Sequence, residues 1–155
     1  MEAPVDTWHA WLGVALASLA IAGTAASLPT RPPPDAAEVA DTVDRTAVAE
    51  GSATARHPLA SESIRLGPDA IALRNAAGTT RARFAFGPVT PTRSDGRLRA
   101  VLRGTPPSRA FDDPETFAAA AETARAGSPS WRPAPETLVV RHVTWGEVGV
   151  TLVGA

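Results

Sequence analysis

A long stretch without charged side chains near the N-terminus constrains this chain more than any other feature. Residues 7–30 contain no Asp, Glu, Lys or Arg, and Trp8 and Trp11 lie at one end, where an aromatic belt would sit. A helix of this length spans roughly 36 Å, enough to cross a hydrocarbon core about 30 Å thick. Prolines after it would end such a helix. We therefore predict an N-terminal tail over 1–6, a transmembrane helix over 7–30 and a proline linker over 31–34.

Two alternatives remain for this stretch. A cleaved signal peptide normally begins with a positive segment, whereas the first residues here hold Glu2 and Asp6 and no arginine. Small residues around 22–27 could still be cut, and a buried core helix is the other alternative. Small residues recurring every four positions would let helices pack closely in lipid. The candidate residues for such packing are Ser18, Ala22 and Ala26.

The remaining residues, 35–155, predict one α+β domain. Asp35 followed by Glu38 resembles a capping box at the start of an amphipathic helix. Later segments alternate apolar and polar residues with the period of two that indicates strands. The predicted elements are a helix over 35–50, two or three strands over 63–86, short helices over 97–103 and 113–126, and a hairpin over 138–152. Together they indicate a small antiparallel sheet with one or two short helices.

Charge is distributed unevenly along the chain. Its net charge is -1, yet residues 64–109 hold nine arginines and two acids, a net charge of +7, between acidic flanks. Either the acids of the helices over 35–50 and 113–126 pair with these arginines, or the arginines dock anionic lipid headgroups or an acidic protein. Nucleic acid is not expected, because the block lacks interleaved aromatic residues and known motifs. The candidate partner-binding residues are Arg74, Arg81, Arg83, Arg93, Arg97 and Arg99.

Signals for catalysis are poor. The absence of cysteine excludes a thiolate metal site and a cysteine nucleophile. His57, His142 and Asp112 lack metal-ligand spacing, and neither a nucleophile elbow nor a phosphate-cradling glycine loop is present. Trp131 and Trp145 are expected to pack in the core or hairpin. We predict no catalytic residue, metal or cofactor, and the alternative is a membrane-surface enzyme or small-ligand-binding domain.

Six segments carry a resemblance: APVDTWHAWLGVAL, LPTRPPPDAAEVADTVD, LGPDAIALRN, FAFGPVTP, LRGTPPS and VTWGEVGVTLVGA. They resemble an uncharacterised family of short haloarchaeal proteins that have one N-terminal membrane helix. The resemblance implies a loose association with archaeal type IV pilus-like systems and supplies no activity or site residue. The chain departs from pilins because it lacks a basic processing site and because its prolines interrupt the helix that pilins continue.

These observations favour a non-enzymatic, single-pass cell-membrane protein that acts as an accessory or pilin-like component. Expected partners are the lipid bilayer, through residues 7–30, and other membrane or pilus-like proteins. The count of nearby arginines, Arg31 and Arg45, weakly favours a domain inside the cell. The resemblance and the pilin-like layout outweigh that count, so we expect the domain to be extracellular.

Overall fold

The computed structural model of the chain describes residues 14–15, which are helical, and residues 31–154. Within the described residues, no helix has the length and apolar character needed to cross a bilayer. The transmembrane helix predicted over 7–30 lies outside the described residues except for Val14 and Ala15. The helix-packing candidates Ser18, Ala22 and Ala26 also lie outside them.

The chain divides after Pro32 into two units, and the second, Pro33–Ala155, holds the helices and strands whose bounds follow. Its helices are α1 Ala36–Ala47, α2 Arg97–Leu102, α3 Pro107–Ala110 and α4 Pro114–Arg125. Its strands are β1 Ala53–Pro58, β2 Ser63–Leu66, β3 Ala70–Asn75, β4 Gly78–Arg83, β5 Thr90–Thr92, β6 Arg132–Pro133, β7 Thr137–Trp145 and β8 Val148–Gly154. The predicted α+β class is confirmed.

Helix α1 begins where the sequence predicts. The Asp35 carboxylate accepts hydrogen bonds from the backbone N–H groups of Ala37 and Glu38, both at 3.0 Å, which satisfies donors that a helix start leaves unpaired. Val39 and Val43, four residues apart, are fully buried on one face of the helix. The predicted amphipathic helix is therefore confirmed, although it ends at Ala47, before residue 50.

The first sheet has the strand order β1-β7-β8-β5 and was only partly predicted. The hairpin of β7 and β8 is confirmed, but β5 joins β8 in parallel, and β1 joins β7 from the segment 53–58. The prediction of one antiparallel sheet is therefore wrong: there are two sheets, and this one is mixed. Neither β1 nor β5 carries a recognisable apolar alternation, because each is an edge strand paired with a distant part of the chain.

The second sheet has the order β4-β3-β2-β6 and is antiparallel throughout. Strands β2, β3 and β4 confirm the prediction for residues 63–83. The predicted extension of the last strand to Phe86 is wrong, since β4 ends at Arg83 and Phe86 is 57% exposed. The Asp44 carboxylate of α1 accepts hydrogen bonds from the backbone N–H groups of Ala85 and Phe86, so these groups bond to a helix instead of a strand.

The first sheet is buried on both faces, and this determines how the helices are arranged. One face contributes Leu138 and Val140 to a core shared with α1 and with the inner face of the second sheet. The opposite face contributes Val143 and Leu152 to a core around Phe117, built with α2 and α4. The unit is therefore layered, with one helical layer, a central sheet, and then α1 with the second sheet. The structure also adds α3, one short helix more than predicted.

Candidate functional site: two arginine-lined cavities

Three aspartate carboxylates accept hydrogen bonds from backbone N–H groups at helix starts or in a loop. Asp35 and Asp113 cap α1 and α4, and Asp44 binds the loop after β4. Within the described residues, the single ion pair joins Arg125 and Glu122 at 2.7 Å, and both belong to α4. The interpretation that the acidic helices pair with the arginine block is therefore wrong for Arg74, Arg81, Arg83, Arg93 and Arg97.

The strand register places four arginines on the outer face of the second sheet. Ala72 pairs with Arg65 on one side and with Arg81 on the other, so these two arginines flank it, and Arg83 pairs with Ala70. Strands two apart in a sheet are about 10 Å apart. The side chains of Arg65, Arg81 and Arg83 line a cavity of about 330 Å³, which we call the sheet hollow. Its one carboxylate belongs to Asp69, in the turn between β2 and β3.

Trp131 determines which of these arginines remain available. The Arg74 guanidinium lies 4.6 Å from the centroid of its ring and that of Arg65 lies 5.3 Å from it. Such contacts stabilise both side chains against the sheet. Arg81 and Arg83 are exposed, and their side chains make no hydrogen bond or ion pair with any described residue. The prediction that Trp131 packs in the core or hairpin is therefore wrong: it is half-buried and contacts two arginines of the outer sheet face.

A second cavity, of about 480 Å³, lies between the two sheets, and we call it the arginine cleft. Strand β5, the start of α2 and the inward face of α4 form one side, and the end of β2 with the segment 127–132 forms the other. Of the predicted residues it contains Arg93 and Arg97, to which the structure adds Arg132. Arg97 is held over the Phe111 ring, with 4.6 Å between the guanidinium carbon and the ring centroid.

Burial and like charge both act on the arginines at this cleft. Arg132 pairs in register with Ile64, which is fully buried, so its side chain is directed to the inner side of the second sheet. Burial, and then the charge of Arg99, lower the pKa of Arg132. Burial and the charge of Arg103 lower the pKa of Arg99, whose guanidinium packs close to Gly154. Arg132 therefore holds a positive charge in a partly desolvated place near the charge of Arg99. Arg93 and Arg97, which also line the cleft, are exposed.

Comparison with known proteins identifies the family. The profile of a family of unknown function (DUF7283) matches residues 2–143. The chain belongs to this family. No curated protein and no solved structure matches the chain. Since the function of DUF7283 is unknown, membership of the family assigns no role to any residue of this DUF7283 chain.

The two described histidines of this DUF7283 chain, His57 and His142, each lie close to a threonine hydroxyl. His57 lies in β1, and its Nδ1 is 3.1 Å from the Thr42 hydroxyl. The Nδ1 of His142 is 3.0 Å from the Thr151 hydroxyl, and burial lowers the pKa of His142, which favours the neutral ring. In the part of the chain described, no three His, Cys, Asp or Glu side chains are arranged to hold a metal ion.

The six predicted arginines do not form one face, which corrects the prediction. Arg74, Arg81 and Arg83 lie on the outer face of the second sheet, whereas Arg93, Arg97 and Arg99 lie at β5 and α2. The prediction also omitted Arg65 and Arg132. Arg65 could have been found, because it alternates with Ile64 and Leu66 in the same way as the chosen arginines. Arg132 could not, because β6 is two residues long and pairs with a strand nearly seventy positions earlier.

Proposed function

We propose that this chain is a membrane-anchored, non-enzymatic accessory protein of an archaeal cell-surface system. In this proposal the helix over 7–30 holds the protein in the bilayer, and the domain lies outside the cell. The domain docks an acidic segment of another membrane-associated protein on the sheet hollow. The resemblance to short haloarchaeal proteins associated with pilus-like systems supports the cellular setting.

The docking proposal is supported by the exposure of Arg81 and Arg83 and by the absence of an anionic partner for either among the described residues. Both are exposed on an edge strand, and they flank small alanines that leave room between the side chains. Neither has an anionic partner among the described residues, while Arg74 and Arg65 are already held by Trp131. A carboxylate can accept two parallel hydrogen bonds from a guanidinium, so an acidic peptide complements this face. At about 1 M salt the screening length is near 3 Å, and such direct contacts would still act.

The anchor is tested by alkaline carbonate extraction. We expect the full-length chain to stay in the membrane pellet and to keep an intact N-terminus by mass spectrometry, because a helix of this length buries enough apolar surface to resist extraction. The control is a chain in which Leu16 and Leu19 are replaced by charged residues. Carbonate should extract this chain from the membrane. A mature chain beginning near residue 27 would show that the stretch is a signal peptide.

Docking is tested with the double variant R81Q/R83Q in the full chain, kept in a non-ionic detergent. The probe is a fluorescent deca-glutamate peptide, followed by anisotropy at low salt. We expect roughly tenfold weaker binding, because each exposed ion pair contributes up to about 1 kcal/mol. The melting temperature should change little, since neither side chain has a partner within the described fold.

The control for this experiment is R56Q, which removes one exposed arginine from β1, at the far edge of the other sheet. R56Q should bind the peptide like the unchanged protein. Equal losses in R56Q and R81Q/R83Q would contradict docking at the sheet hollow. Vesicles containing phosphatidylglycerol provide the comparison with lipid, and a loss of vesicle binding without a loss of peptide binding would show that this face binds headgroups instead.

A further inference from the structure

The arginine cleft has the size and composition of a small-molecule site. Its volume of about 480 Å³ falls in the range of about 300–1,000 Å³ typical of ligand pockets. Such pockets combine mostly apolar walls with a few convergent polar groups. Here Leu98, Phe111 and Ala124 contribute apolar surface, and Thr123 and Ser130 contribute hydroxyl groups.

The charge in the cleft points to an anion. Arg93, Arg97 and Arg132 all line it, and the one carboxylate in the lining, that of Asp95, is exposed and forms no ion pair with them. Arg132 is half-buried, and Arg93 and Arg97 are exposed. Like charges that line one cavity repel one another unless an anion neutralises them. Three arginines exceed what a single carboxylate would balance, so a doubly charged head group fits this cleft better.

The arginines converge from different elements of the fold. Arg93 follows β5 of the first sheet, Arg97 opens α2, and Arg132 belongs to β6 of the second sheet. Arg97 is oriented by its contact with Phe111, and Arg132 by the register that directs it inward with Ile64. A guanidinium offers a rigid fork of donors that matches phosphate oxygens.

We propose that the arginine cleft binds a small organic phosphate monoester, with the phosphate at Arg93, Arg97 and Arg132 and a compact apolar group against Leu98, Phe111 and Ala124. The proposed ligand is a free molecule and not a lipid headgroup, because the volume of about 480 Å³ lies within the range of small-molecule pockets. The arginine cleft and the sheet hollow are separate sites, because among the described residues their linings share Pro129 alone. The inference therefore does not rest on the docking proposal.

The test measures binding of phenyl phosphate to the full chain in non-ionic detergent, by isothermal titration calorimetry at low salt and pH 8. At this pH the phosphate monoester carries two charges. We expect one site per chain. Inorganic phosphate should bind at least tenfold more weakly because it lacks the apolar group, and phenol, which lacks the phosphate, should not bind measurably. Equal binding of phosphate and phenyl phosphate would overturn the assignment of the apolar walls.

Two matched pairs of variants locate the site. R93Q removes an exposed arginine of the cleft and should weaken binding about tenfold or more, since hydrogen bonds between charged groups are strong; R56Q should leave binding unchanged. A124L fills the cleft without changing its charge and should abolish binding, whereas A119L places the same side chain on an exposed position of α4 outside the cleft. Equal effects within either pair would overturn the proposal.

Two further measurements distinguish the arginine cleft from the sheet hollow, and a free phosphate monoester from a lipid headgroup. R81Q/R83Q should bind phenyl phosphate normally, even if deca-glutamate binding to the sheet hollow fails or was never present. Dihexanoyl phosphatidic acid is the soluble lipid competitor, and we expect it to displace phenyl phosphate poorly. Efficient displacement by this lipid would show that the cleft receives a headgroup and would overturn the assignment to a free molecule. Circular dichroism melting of every variant verifies that each remains folded.

Discussion

Replacing Phe117 by alanine is expected to lower the free energy of unfolding by about 3–5 kcal/mol, the usual range for a buried phenylalanine. Phe117 of α4 is fully buried in the core between the first sheet and the helical layer. Its ring lies 5.2 Å from that of Phe111 and 6.4 Å from that of Trp145, between centroids. The variant would lose these contacts and leave a cavity. Urea denaturation followed by tryptophan fluorescence measures the change.

The matched control is Phe86→Ala, the same substitution at a phenylalanine that is 57% exposed after β4. Surface substitutions of this kind usually change stability by no more than about 0.5 kcal/mol. The sequence alone assigns both phenylalanines to the core, so this pair also tests where the apolar alternation stops. Comparable losses in the two variants would contradict the described position of Phe86.

The sequence predicts elements well where the relevant interactions are local. The Asp35 cap, the spacing of Val39 and Val43, and the alternation along β2 to β4 all depend on neighbours within a few residues. Sheet membership is different, because it depends on pairing over long distances. Strand β5 joins β8 about sixty positions later and contains a proline, so its own three residues carry no signal for the parallel pairing.

The same distinction explains the candidate site. The alternation of side chains along a strand predicts that Arg81 and Arg83 point away from the core, and both are exposed in the structure. The division of the arginines between two cavities could not be predicted, because it depends on the approach of the two sheets around the segment 127–132. Trp131 illustrates this, since it lies 57 positions after Arg74 in the sequence. Its ring nevertheless contacts the Arg74 guanidinium, where an acid was expected.

The acidic residues show that the net charge of a segment does not predict which ion pairs its side chains form. Acids of α1 and α4 outnumber their arginines, which suggested pairing with the basic block. In the structure Asp44 of α1 and the capping residues Asp35 and Asp113 accept hydrogen bonds from backbone N–H groups instead. Hydrogen bonding to the carboxylate lowers the pKa of Asp113, mainly through the backbone N–H of Thr116. These carboxylates therefore bond to nearby backbone groups, and among the described residues they form no ion pair with the arginines of 64–109.

Replacing Val43 by aspartate is expected to cost about 3 kcal/mol or more, comparable to the penalty for an uncompensated buried charge. Val43 is fully buried on the face of α1 that packs against the core shared by the two sheets. An aspartate there would either stay charged without a partner or take up a proton. We therefore expect a much lower urea midpoint than for the unchanged chain, and a marginally folded domain.

The matched control is Val48→Asp, the same change five residues later, at a position that is 52% exposed beyond the end of α1. A negative charge at a helix C-terminus is unfavourable by about 0.3–1 kcal/mol, so this variant should lose little stability. The gap between the two variants should narrow as the pH approaches about 4, because protonation removes the charge from the buried carboxyl group. If V43D and V48D were equally stable at neutral pH, α1 could not be packed against the core shared by the two sheets as described.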